Sequence, residues 1–113
     1  MNILNVSNVL GIVLLYMPNI SIPELESICD ILKEKGYEID VDDSVVYSVL
    51  EEWRDFFSLN YDGNICLTKS LIRRRHVIKA LFSNSISAKA NNDIFNAMLN
   101  RSHKRSKIIR FNK

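Results

Sequence analysis

Arg73-Arg74-Arg75-His76 and the basic tract from Arg101 to Lys113 are the residues whose types and spacing best suit chemistry in this 113-residue chain. That chemistry is neutralisation of a polyanion. Like charges one and four positions apart on a helix repel each other until an anion compensates them. No acid lies close in sequence to relieve the first run, because Asp93 is the one acid after Thr68. Cations laid along phosphates release counterions, which makes such binding strong at low salt and weak at high salt. The candidate nucleic-acid contacts are therefore Arg73, Arg74, Arg75, Lys79, Arg101, Lys104, Arg105, Lys107 and Arg110. Ile108, Ile109 and Phe111 interrupt the last of these, and a purely solubilising end has no use for them.

The remaining reactive side chains carry less. Glu38, Asp40, Asp42 and Asp43 gather four carboxylates in six residues, but the glycine and terminal glutamate of a calcium loop are missing. Helix capping and solvated charge account for them, with a basic partner as the functional alternative. His76 and His103 each sit among cations, and no neighbour orients an imidazole as a base. Cys29 and Cys66 belong to no metal-binding spacing. Cys29 falls on an apolar helix face and reads as a small buried hydrophobe, and two free thiols are expected. With no phosphate-cradling glycine loop and no nucleophile motif, the chain reads as a binding module rather than an enzyme, without a cofactor.

Elements of ordinary type must position these residues. Val9–Met17 is apolar almost all round, yet about half the length of a bilayer span, so a buried first helix is expected rather than membrane insertion. Ser21-Ile-Pro-Glu24 is a capping box with proline near the first helical position. Leu25, Ile28, Cys29 and Leu32 then form one buried stripe, and Gly36 supplies a left-handed stop. Tyr37, Ile39 and Val41 alternate with acids in a short extended stretch. A third helix is predicted over 44–55, with Val46, Val49, Leu50 and Trp53 inward.

Asp62-Gly63 marks a hairpin. A three-residue loop with Gly63 left-handed pairs Phe57 with Leu67 and Leu59 with Ile65, collecting four apolar side chains on one face. A fourth helix is predicted over 69–83, with Leu71, Ile78, Leu81 and Phe82 inward. A fifth is expected to be capped by Asn91 or Asn92, with Ile94, Phe95, Met98 and Leu99 as a narrow stripe.

Helix, capped helix, helix, then a glycine-turned hairpin closing on Leu67-Thr68 resembles the winged helix-turn-helix order. Leu59–Thr68 (LNYDGNICLT) is similar to the wing of many such regulators. The resemblance covers roughly residues 6–85 and is one of order and spacing. It implies a mainly α fold with a small β-hairpin, a winged-helix-like domain over 1–85, and a C-terminal helix and basic tail over 86–113. It also implies a third helix that reads DNA, although here that helix would expose Ser48, Glu51, Glu52 and Asp55, with Arg54 its lone cation.

Charge divides the chain. Residues 1–68 hold three cations and twelve acids, residues 69–113 twelve cations and one acid, so the halves carry −9 and +11. Such asymmetry points to a polyanion partner or to mutual neutralisation of the halves. The expected function is a small DNA-binding regulator, cytoplasmic or nucleoid-associated. A homodimer seamed by Ile94, Phe95, Met98 and Leu99 is expected to accompany it. The alternative is an interaction module whose acidic face docks a basic protein or a second subunit.

Overall fold

The computed structural model describes the backbone of residues 2–111 and the side chains of residues 2–101. It is mainly helical with a small β-hairpin. Asn2–Ile3 (β1) leads into Val6–Tyr16 (α1), of which every residue from Val6 to Leu14 except Ser7 is buried. Asn5 closes its first turn through the backbone alone, without a side-chain cap. Burial on all sides explains the lack of a polar face: α1 is the post around which the other helices pack.

Ile22–Glu34 (α2) begins at the expected capping box. Glu24 N donates to Ser21 Oγ at 3.2 Å, and Ser21 N donates to Glu24 Oε1 at 3.1 Å. Gly36 ends it at φ +101°, a conformation that an L side chain resists. Tyr37–Glu38 (β2) then pairs in parallel with β1, a contact between segments over thirty residues apart that periodicity does not reveal. Asp42 caps Asp43–Glu52 (α3), its Oδ1 accepting from Val45 N at 2.9 Å. Only Val46 is fully buried on this helix; Val49, Leu50 and Trp53 are half-buried.

Phe57–Leu59 (β3) and Ile65–Leu67 (β4) form the hairpin in the three-residue-loop register, Phe57 opposite Leu67 and Leu59 opposite Ile65. Gly63 takes φ +77°, and Asn60 Oδ1 accepts from both Asp62 N and Asn64 N, bracing the turn. Ile20, between α1 and α2, adds an antiparallel bridge to Ile65 through backbone bonds of 2.9 and 2.7 Å. Phe57, Ile65 and Leu67 are buried, whereas Leu59 is 45% exposed, so one member of the expected apolar face lies outside the core.

The predicted fourth helix is broken. Lys69–Ile72 (α4) stops before the arginines, Arg75–Ile78 (α5) restarts at the third of them, and Lys79–Ser83 winds as a π-helical turn. The break falls where three like charges would stand at consecutive positions. Phe82 drives the π turn. Fully buried, it packs on Gly11 of α1, where a β-carbon would stand 2.5 Å from its ring. The wider ladder swings Leu81 out, to 41% exposure.

Ala88–Phe111 (α6) starts earlier than expected, with Ser87 Oγ accepting from Ala90 N at 3.1 Å. Asn91 does not cap it; its amide bonds to Ser83 O at 2.8 Å and ties α6 to the π turn. Ala90, Ile94, Ala97 and Met98 enter the same core as α1 and α2. The turn near residue 85 therefore marks a bend in the chain and not a second core.

Candidate nucleic-acid interface

The basic run sits at the α4–α5 junction. Arg73 and Arg74 occupy the connecting turn, Arg75 and His76 open α5, and Lys79 begins the π turn. All five are exposed, as is Lys69 at the start of α4. The buried residues Leu71 and Ile78 anchor this segment from below, so the cations are displayed from a fixed base. Among the described residues the ion pairs are Lys35–Asp93, Arg54–Glu51, Lys89–Asp93 and Glu24–Arg101. None involves Lys69, Arg73, Arg74, Arg75 or Lys79. The acidic half of the molecule does not neutralise them there.

Arg101 stands apart from the other candidate contacts and must be corrected. It is 5% exposed and turned inward, where its Nη1 donates to Glu24 Oε2. Glu24 thus serves twice, capping α2 and receiving the guanidinium from α6. A phosphate cannot reach Arg101 in this arrangement. Sequence distance hid the pair, since 77 residues separate its members. The side chains of Lys104, Arg105, Lys107 and Arg110, and of His103, lie outside the described residues, although the backbone of α6 runs through them.

The exposed face of α3 is acidic. On α3, Tyr47, Ser48, Glu51 and Glu52 are exposed, and Arg54 is engaged by Glu51 at 3.3 Å. Glu26 of α2 approaches Asp43 at the start of α3. Partial burial, followed by the charge and hydrogen bonding of Asp43, raises its pKa above the usual glutamate range. This cluster repels phosphate. Among the described residues no three His, Cys, Asp or Glu side chains converge as metal ligands.

Asp93, the single acid of the basic half, has a structural role. Tyr37 Oη donates to its Oδ2 at 2.5 Å, Lys89 Nζ to the same oxygen at 3.2 Å, and Lys35 Nζ lies 3.9 Å from Oδ1. The Tyr37 hydrogen bond, more than the lysines, holds the Asp93 carboxyl below the usual aspartate range. Burial first, then the same bond, pushes the Tyr37 phenol up.

Cys29 is fully buried and unbridged, and burial pushes its thiol up to about 12, which makes it inert packing. Cys66 is also unbridged and half-buried beside Ser58. Of the expected dimer stripe, Ile94 and Met98 lie in the protomer's own core, leaving half-buried Phe95 and exposed Leu99. A seam made of all four residues is not on offer. No described helix is long and apolar enough to cross a membrane. Comparison with protein-family models, curated proteins and solved structures finds no match to this chain.

Proposed function

We propose that the chain is a small winged-helix regulator that holds DNA through phosphate contacts from the α4–α5 segment. The observation that carries this is the set of five exposed cations, Lys69, Arg73, Arg74, Arg75 and Lys79, which form no ion pair among the described residues. Unneutralised like charge concentrated on one short segment costs stability, and a polyanion relieves it. The order of elements supports the fold reading. Three helices followed by a glycine-turned hairpin, with Ile20, between the first two helices, bridged to that hairpin, are what support it.

The acidic exposed face of α3 assigns that helix little base reading. Affinity comes mainly from phosphates, and discrimination between sequences is shallow. Lys104, Arg105, Lys107 and Arg110 add to the contact in this reading. Fluorescence anisotropy with a labelled random-sequence duplex tests it, using the full chain and an Arg73→Glu, Arg75→Glu variant across a salt series. Binding should weaken at least tenfold in the variant, with the log–log salt slope shallower by about 0.9 for each phosphate no longer neutralised. Equal affinity of wild type and variant would remove α4–α5 from the interface.

A second reading rests on a separate groove. Glu38, Asp40 and Glu52 line a groove of about 660 Å³ beside Trp53, floored by Leu4, Ile39, Val45 and Val49. Acids around an apolar floor suit a basic amphipathic peptide, so a protein partner docks here if duplex binding is absent.

A further inference from the structure

A different groove runs between the hairpin, the end of α1 and the α4–α5 segment. It encloses about 470 Å³, within the range of small-ligand sites. Leu14, Met17 and Leu67 form its apolar walls, and two residues that a closed core would have covered, Leu59 and Ile72, complete them at 45% and 54% exposure. Lys69 and Arg75 line it too. Both are exposed, and among the described residues neither has an ion pair and no acid lines the groove.

We infer that this groove binds an aliphatic carboxylate, its chain lying between Leu59 and Ile72 and its head group at Lys69 and Arg75. Each half of such a ligand answers one half of the groove. The apolar wall takes up the chain that water rejects, and the two cations neutralise the carboxylate at the mouth. A purely apolar ligand would leave Lys69 and Arg75 unanswered, and a purely ionic one would leave Leu59 and Ile72 wet. Lys69 and Arg75 also belong to the proposed phosphate face, so the ligand competes with DNA for two cations and weakens duplex binding. The site itself does not depend on that reading.

Cys66 gives the test a built-in reporter. It lines the groove and is half-buried, whereas Cys29, the other thiol, is fully buried and held protonated. Alkylation of the full chain by a maleimide is followed by mass spectrometry, without DNA, in the presence of decanoate or decanol. Decanoate should slow modification of Cys66 at least fivefold. Octanoate should protect less well, by up to about fourfold in affinity per methylene withdrawn. Lys69→Gln with Arg75→Gln should weaken protection by decanoate at least fivefold and leave protection by decanol unchanged. Ile72→Glu, a substitution at an exposed position, should abolish protection by both while the circular dichroism spectrum stays native.

Failure of decanoate to protect wild-type Cys66 overturns the assignment, and so does protection that survives Ile72→Glu. A concentration-dependent dimer that Ile72→Glu disperses and decanoate does not would identify a second copy as the occupant, and would likewise overturn it. Because no duplex is present, a chain that binds decanoate and not DNA refutes the proposed function alone.

Discussion

Gly11 is the residue at which close packing is most directly testable. In a largely buried helix it carries no turn and no positive φ, and its role is to admit the Phe82 ring. Phe82 has no room to retreat, being packed edge-on against Trp53 and Phe56 and tilted against Phe57. Gly11→Ala gains about 1 kcal/mol of helix propensity. It nevertheless should destabilise the chain by about 1–3 kcal/mol through overpacking, read as a lower midpoint in urea. Arg101 gives a second prediction at this scale. Arg101→Met should cost about 2–4 kcal/mol by removing the guanidinium from a largely buried ion pair, yet leave duplex affinity below the melting temperature unchanged. Adding Glu24→Gln, which can still close the capping box, should recover part of that cost. A fall in duplex affinity at unchanged stability would make Arg101 a phosphate contact after all.

Elements are legible from sequence where local chemistry specifies them. The Ser21 capping box, the Gly36 stop and the Gly63 hairpin register follow from residues within a few positions of one another. The fourth helix is not legible. Leu71, Ile78 and Phe82 keep helical spacing, and that pattern cannot show that Phe82 must reach a cleft in α1 by unwinding one turn. The one available signal is Gly11, a glycine where propensity disfavours it. Asn8 shows how the π turn is held: its amide donates to Phe82 O at 3.0 Å and to Ser85 Oγ at 2.9 Å. This is a buried polar group satisfied across 74 residues, beyond the reach of any local pattern. Asn8→Ala should cost about 1–3 kcal/mol, and amide exchange should accelerate selectively over residues 79–86. A uniform acceleration across α1–α3 would mean that Asn8 supports the whole core and not this turn.

At the scale of the molecule, a carboxyl in the acidic half of the sequence, Glu26, and the single carboxyl of the basic half, Asp93, respond to pH in opposite senses. Glu26 has its pKa raised, so its contribution to stability is present below the ordinary glutamate range and is lost as pH rises through the raised value. Asp93 has its pKa lowered, so its contribution is present above the ordinary aspartate range and is lost as pH falls through the lowered value. Both contributions stand together only between those limits, around the ordinary carboxylate values of about 4. The melting temperature should therefore rise as pH falls through the raised Glu26 value toward the ordinary carboxylate range, against the common expectation of a plateau, and then fall in stronger acid. Glu26→Gln should flatten the first limb and leave the second, while Asp93→Ala should lower stability at neutral pH and flatten the second. Added salt bears on the same balance. Screening the repulsion within the cation run and within the acid cluster should raise the melting temperature of the isolated chain modestly, while the same salt dissociates it from a duplex. If salt lowered both together, attraction between the halves would outweigh repulsion within them, and the basic run would be answering the protein's own acids rather than a phosphate backbone.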